Sequence, residues 1–136
     1  MKELTLDAIV DNIEEVTSFV NNELEKLSCP ASAKNQIDIA IDEIFGNIVR
    51  YAYTPKIGKA SVKIDVLNNP LAIVITFTDN GKPFNPLNRA DPDVSLSLDE
   101  RKEGGLGIFL VKKTMNLVDY EYKDGKNILK IKKNLE

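Results

Sequence analysis

Glu43 and Asn47 are four residues apart in a stretch whose neighbours are mostly apolar, IDEIFGNIVRYAY. In a helix this spacing places both side chains on one face. A carboxylate can orient or deprotonate a hydroxyl group, and a carboxamide oxygen is a suitable Mg²⁺ ligand, so the pair fits a site for a metal-bound phosphate. The same spacing also occurs by chance on exposed helix faces, and alone it favours that simpler interpretation.

A second polar cluster, DNGKPF over residues 79–84, follows the most apolar stretch of the chain. These residue types form turns, and alone a plain turn is favoured by roughly three to one over a binding loop. In a binding loop, Asp79 at the strand end would accept a hydrogen bond from the exocyclic amine of adenine. Gly81 would let the backbone come close to the ring.

The third candidate is the sequence EGGLG over residues 103–107, which runs directly into a predicted helix. Free backbone N–H groups at a helix N-terminus bind phosphate, and glycines leave them accessible. A flexible hinge is the alternative interpretation, and the two are compatible. A Rossmann site is disfavoured because no βαβ crossover surrounds the run, and a Walker-A site because no Lys-Ser/Thr pair follows it.

Composition narrows the chemistry further. The chain has 136 residues, no histidine and one cysteine, Cys29, which excludes Ser-His-Asp triads, Cys-His pairs and the usual zinc sites. Any metal should therefore be a hard ion with oxygen ligands. The length fits one domain, 1–136. The net charge is −3, and the basic stretch 123–133 alternates as a strand face, so no nucleic-acid partner is expected. Without a signal pattern or a long apolar run, we expect a cytoplasmic protein and no membrane partner.

Two amphipathic helices are predicted ahead of the first strand pair. The first, capped by Asp7 and ended by Ser28-Cys29-Pro30, has an apolar face with three- and four-residue steps. Its apolar residues are Ile9, Ile13, Val16, Val20, Leu24 and Leu27. The second begins near Ala31 and stops before Pro55, with a buried stripe of Ile37, Ile41, Ile44 and Ile48. Glu43 and Asn47 lie off that stripe.

Alternating residues predict the strands, at 2–6, 61–68, 71–78, 117–123 and 126–133. Turns at 68–70 and 124–125 make two hairpins. Residues 79–103 have no clear period and form a long loop, which in a small domain is usually functional or disordered. A third helix follows the glycines, with Ile108, Val111 and Met115 inward. The order predicts an α+β two-layer sandwich, a mostly antiparallel sheet with three helices on one face.

Taken together, the three motifs resemble the Bergerat-fold (GHKL) ATPases, and most of all the anti-sigma-factor serine/threonine kinases of bacteria. Their N-box reads E-A-x-x-N-A-V-x-H-A-Y, and residues 43–53 read EIFGNIVRYAY. Their second box reads D-x-G-x-P-F-x-P, and residues 79–86 read DNGKPFNP. Their third reads G-G-x-G-[IL]-x-[LI]-[VI], and residues 104–111 read GGLGIFLV. The resemblance covers almost the whole chain.

The resemblance implies a role for each matching position. Glu43 would be the catalytic general base, and Asn47 would bind ATP and ligate Mg²⁺. Arg50 matches a position where histidine kinases often place a basic residue near phosphate. Residues 87–103 would be an ATP lid from which Arg101 reaches the nucleotide. The remaining nucleotide-binding residues would be Asp79, Gly81, Phe84, Gly104, Gly105, Leu106, Gly107 and Ile108.

Two residues depart from the family pattern. Tyr51 stands where many of these kinases have histidine, which puts any polar role of that histidine in doubt. Gly46 stands in mid-helix where threonine is common, and it costs about 1 kcal/mol in helix propensity. Neither change touches Glu43 or Asn47.

The implied function is an ATP-dependent serine kinase that phosphorylates a STAS-type anti-anti-sigma protein and sequesters a sigma factor. One alternative is a non-catalytic ATP-dependent binding module that regulates a partner protein. A detached histidine-kinase ATP domain is disfavoured, because the chain has neither a histidine to modify nor a dimerisation helix pair. The family also suggests a homodimer, formed through the edge of the N-terminal strand.

Overall fold

The computed structural model describes residues 2–88 and 105–136. Five strands and three α-helices lie within these residues. They are β1 (Lys2–Asp7), α1 (Ile13–Glu25), α2 (Ala31–Asn47), β2 (Lys59–Leu67), β3 (Ala72–Asp79), α3 (Gly105–Thr114), β4 (Leu117–Lys123) and β5 (Lys126–Asn134). Short 3-10 helices span Val10–Asn12 and Pro86–Asn88, and a π-helix, Ile48–Ala52, continues α2.

The strands form one antiparallel sheet in the order β1-β2-β3-β5-β4. The second hairpin turns at Asp124 and Gly125, whose φ angles of 55° and 76° are those of a type I′ turn. Because β5 pairs with both β3 and β4, it is an internal strand of the sheet. Its N-terminal end therefore lies beside the C-terminal end of β3, where the 79–84 loop begins.

The sheet buries one face and leaves the other open. Along β3 the burial alternates, as expected when helices cover one side only. On the covered side, Phe77 lies opposite Val62 and Leu129, and Ile75 lies opposite Ile64 and Ile131. These side chains are at most 7% exposed, so the core lies between the sheet and the helices.

The helices form a single layer over this face, with α2 packed against both α1 and α3. The predicted stripe of α2 is confirmed, since Ile37, Ile41, Ile44 and Ile48 are all 9% exposed or less. Ile108, Val111 and Met115 of α3 are also buried, as predicted. The predicted two-layer α+β architecture is thereby confirmed. Within the described residues, no helix is long and apolar enough to cross a membrane.

One local prediction needs correction. Asp7 does not cap the first helix: it ends β1, and its carboxylate pairs with Lys59 (2.8 Å). The α-helix begins only at Ile13, after a 3-10 turn with Asn12 as its N-cap. The second helix begins at Ala31 and stops before Pro55, as predicted, and its continuation Ile48–Ala52 is π-helical. Inserted π-turns are uncommon and frequently occur at functional sites.

Candidate functional site

Asn47 lies at the point where α2 changes into the π-helix, and it is 4% exposed. Its Oδ1 accepts a hydrogen bond from Nη2 of Arg50 (2.9 Å). Within the described part of the chain, its buried Nδ2 has no hydrogen-bond partner. An unsatisfied buried amide costs about 1–3 kcal/mol, so Nδ2 is available to donate to a further acceptor.

Glu43 is half-buried one turn before Asn47, and its carboxyl group lies against the first turn of α3. A Cβ placed on Gly107 would overlap that carboxyl group, with Oε1 only 2.8 Å away. The predicted general base and a predicted phosphate-cradling glycine are therefore in direct contact. The third glycine of the motif is required here because any side chain would displace Glu43.

Asp79 ends β3 and is 5% exposed. Its Oδ1 accepts two hydrogen bonds, one from the backbone N–H of Gly81 (2.8 Å) and one from Nδ2 of Asn127 (2.9 Å). Burial raises the pKa of Asp79 above its ordinary value, and the two hydrogen bonds oppose that rise. The carboxylate is thus held at the sheet end by donors that favour its ionised form.

The loop after Asp79 is docked on the end of the π-helix. The backbone N–H of Lys82 donates to the carbonyl oxygen of Ala52 (3.0 Å), and the Tyr53 hydroxyl accepts from the backbone N–H of Asn80 (2.7 Å). A Cβ on Gly81 would overlap the Ala52 backbone. Gly81 was predicted to admit a ligand ring; the close approach seen here is between two protein segments.

Phe84 stacks on Tyr51, with ring centroids 4.9 Å apart. The Arg50 guanidinium lies 5.8 Å from the centre of the Tyr51 ring, within reach of a cation–π contact. Tyr51, which departs from the family pattern, therefore joins the predicted binding loop to the helix that carries Asn47. Arg50 is exposed and within a few ångströms of the predicted metal ligand.

Asn127 is a site residue that the sequence motifs missed. It is 6% exposed and directly opposite Asp79 across the β3–β5 ladder. Its Oδ1 accepts from the backbone N–H of Phe84 (3.1 Å) and from the Tyr120 hydroxyl, and its Nδ2 also donates to the Lys82 carbonyl (2.9 Å). A polar residue in the otherwise alternating strand 126–133 was the available signal.

A cavity of about 30 Å³ lies between α2, the π-helix and the sheet end. Asn47, Asp79 and Phe84, three of the predicted site residues, line it together with Asn127. The remaining lining residues are Ile44, Ile48, Ala52, Phe77, Pro86, Tyr120 and Leu129. An apolar cleft with a few convergent polar groups at its base is typical of a small-molecule site.

Several predicted residues stand outside this pocket. Ile108 is 3% exposed and is absent from the pocket lining. Gly105 and Leu106 lie in the first turn of α3. Gly104, Arg101 and the predicted lid from 89 onward lie outside the described residues. The phosphate end of the predicted site is thus represented by Glu43, Asn47 and Gly107.

Comparison with known proteins decides the family. A model of the histidine kinase-like ATPase domain matches residues 6–133, which is nearly the whole chain. This chain belongs to the histidine kinase-like ATPase family. The predicted resemblance is confirmed at that level, and residues of two of the three motifs, 43–53 and 79–86, line the pocket.

This chain has curated relatives that are named as protein kinases. It is 29% identical over 93 residues to the serine/threonine-protein kinase BtrW of Bordetella bronchiseptica, covering 68% of this chain and 65% of that protein. It is 31% identical over 98 residues to the serine-protein kinase RsbW of Bacillus cereus, covering 69% of this chain and 60% of that protein. The matches thus span less than two thirds of the length of these relatives.

The donor set fits a magnesium ion held mainly by a nucleotide. In the described residues no cluster of three or more His, Cys, Asp or Glu side chains could hold a metal by itself. Mg²⁺ usually takes one or two protein ligands, several waters and substrate phosphates. Asn47 would be such a ligand through Oδ1, the atom that here accepts from Arg50, and Glu43 lies one turn away.

Proposed function

We propose that this protein is an ATP-dependent serine/threonine protein kinase that phosphorylates a STAS-type anti-anti-sigma protein and sequesters a sigma factor. The observation that carries the proposal is the convergence of Asn47 and Asp79 on one pocket, with Glu43 one turn from Asn47. The family match and the names of the relatives agree with it. The substrate and the partners come from the resemblance of the motifs.

The base of ATP would enter the apolar part of the pocket. Asp79 would accept the hydrogen bond of the adenine amine, since its carboxylate is buried and held in its acceptor form. Phe77 and Leu129 line the same space and would contact the ring. Apolar surface of this kind contributes roughly 25 cal/mol per Å² buried.

The phosphates would extend toward α2 and the start of α3. Mg²⁺ would neutralise phosphate charge there, with Asn47 Oδ1 as its protein ligand. Because Oδ1 now accepts from Arg50, Arg50 must release it, and the freed guanidinium would lie close to the phosphates. Glu43 would orient the acceptor serine hydroxyl and take its proton, while N–H groups at the α3 N-terminus hold phosphate oxygens.

The test uses purified protein, γ-labelled ATP with Mg²⁺, and the STAS-domain protein encoded beside it. Label on a serine or threonine of that protein supports the kinase. Nucleotide binding is measured in parallel by calorimetry, so the two parts of the proposal separate. Binding without any transfer would contradict the kinase and leave the non-catalytic ATP-dependent module as the function.

Two observations favour the binding-module alternative: Glu43 already contacts Gly107, and Asn47 Oδ1 already accepts a hydrogen bond from Arg50. Both must rearrange before catalysis. A detached histidine-kinase ATP domain would need a partner that carries the phospho-accepting histidine. Transfer of label to a histidine of that partner would reveal this function. The product is recognisable because phosphohistidine is acid-labile and phosphoserine is not.

Homodimer formation and a cytoplasmic location remain predictions from the sequence. The N-terminal strand β1 is at the edge of the sheet, paired only with β2. An edge strand has a free row of backbone groups that a second copy can pair with. Sedimentation of the protein at several concentrations measures whether such a dimer forms.

A further inference from the structure

Asn127 makes contacts with three segments that meet at the base of the pocket. Its amide reaches Asp79 at the end of β3, the 82–84 loop and Tyr120 of β4. The side chain is 6% exposed and lines the pocket. It lies 48 residues from Asp79 in sequence, which is why no local motif includes it.

The orientation of the Asn127 amide is determined by its backbone partners. The N–H of Phe84 can only donate, so the amide atom that it meets, 3.1 Å away, must be the oxygen. The carbonyl of Lys82 can only accept, so the atom that it meets, 2.9 Å away, must be the nitrogen. A flip of the amide would place a donor against the N–H of Phe84 and an acceptor against the carbonyl of Lys82.

This orientation determines which hydrogen bonds Asp79 makes. Nδ2 of Asn127 must present a proton to Oδ1 of Asp79, and the N–H of Gly81 presents a second. Within the described residues, Oδ2 receives no hydrogen bond. Two donors on one oxygen favour the ionised carboxylate, and an ionised carboxylate can only accept. The free Oδ2 then requires a donor from the ligand.

We infer that Asn127 is a positioning residue that sets nucleobase specificity, by holding Asp79 as an acceptor that selects a 6-amino purine over a 6-oxo purine. The inference rests on the proposed function, since it assumes that a purine nucleotide occupies the pocket. A 6-oxo group would bring an oxygen toward Oδ2, and two acceptors repel. Sites built around such a hydrogen bond reject the mismatched analogue strongly, because buried polar groups are left unpaired.

A purely structural role for Asn127 is the competing explanation, because the residue also ties β5 to the loop. The two differ in one measurable quantity. Loosening the loop would weaken binding of every purine nucleotide by a similar factor. Loss of the proton that Asn127 donates to Asp79 Oδ1 would change the ratio of the affinities for ADP and IDP. These nucleotides differ in the amino or oxo group at C6 and in the proton that N1 carries in the oxo ring.

The experiment measures ADP and IDP binding to the full chain by calorimetry with Mg²⁺ at pH 7. The variants are Asn127→Leu and Asn127→Val, which both remove the donor. Asn134→Val is the matched control, because it makes the same substitution at the other end of β5, outside the pocket lining. Circular dichroism and thermal unfolding show which variants fold, and either Asn127 variant suffices.

We expect the native protein to bind ADP at least about tenfold more tightly than IDP. Both Asn127 variants should lower this ratio about tenfold, and Asn134→Val should keep it within about twofold. An unchanged ratio in a folded Asn127 variant overturns the inference and leaves the proposed function intact. A native protein that binds neither nucleotide overturns the proposed function and this inference with it.

Discussion

The Cα of Gly107 lies against the carboxyl group of Glu43, so closely that no side chain fits between them. The contact joins α2 to the first turn of α3, two elements whose motifs are about sixty residues apart in the sequence. It makes the position of the proposed general base dependent on the absence of a Cβ at residue 107. This dependence can be measured.

Gly107→Ala should destabilise the protein and lower its phosphoryl-transfer rate. Overpacking costs about 1–3 kcal/mol, offset by about 1 kcal/mol of helix propensity. Thermal unfolding and the transfer assay measure the two effects. Gly46→Ala is the control, since its Cβ would lie 3.3 Å from Nη1 of Arg50, the end of a flexible side chain. If Gly107→Ala changes the unfolding temperature and the transfer rate no more than Gly46→Ala does, the contact of Gly107 with Glu43 does not position the base.

Glu43→Gln should retain nucleotide binding and lose most of the transfer activity. Removal of a general base typically costs about 10²–10⁴ in rate, whereas the amide keeps the shape of the side chain. Calorimetry with ADP and the γ-label assay separate binding from chemistry. Asp42→Asn, at an exposed neighbouring carboxylate on the same helix, should change neither. Full transfer activity in Glu43→Gln would exclude Glu43 as the base.

Asn47→Ala should abolish the contribution of Mg²⁺ to nucleotide binding without destabilising the nucleotide-free protein. The buried Nδ2 has no partner within the described residues, so its removal eliminates a desolvation cost that offsets the lost packing. ADP titrations with Mg²⁺ and with a chelator should give equal affinities in the variant. Asn22→Ala, on the exposed part of α1, should keep the native difference. A variant that still responds to Mg²⁺ would place the metal ligand elsewhere.

Asp79→Asn should stabilise the nucleotide-free protein at neutral pH and abolish adenine recognition. Burial raises the folded-state pKa of Asp79 above its ordinary 3.8, so the native state binds its proton more tightly than the unfolded state. The ionised group therefore costs stability above the raised pKa, and this cost disappears as the pH falls toward 3.8. The Tm difference between variant and native protein should be positive at pH 7 and shrink on acidification. A difference that does not vary with pH would contradict the assigned titration.

The sequence by itself determined the elements and the three motifs. Buried residues recur with the helical period in α2 and alternate in β3, and such periods follow from the geometry of one segment and its one covered face. Glu43 and Asn47 share a helix face for the same local reason. The order of the motifs, read along the chain, was enough to indicate the family that the domain match confirms.

Only the tertiary structure decided which residues contact each other across segments. The partnership of Asp79 with Asn127 depends on the register of β5 against β3, and the contact of Gly107 with Glu43 depends on how α3 packs on α2. The π-turn after Asn47, in which Arg50 lies, also could not be predicted from the local sequence. The same holds for the contact of Gly81 with Ala52. The spacing of apolar residues determines which face of a helix or strand is buried. Register and packing are properties of the whole chain, because they are set by the sum of many long-range contacts.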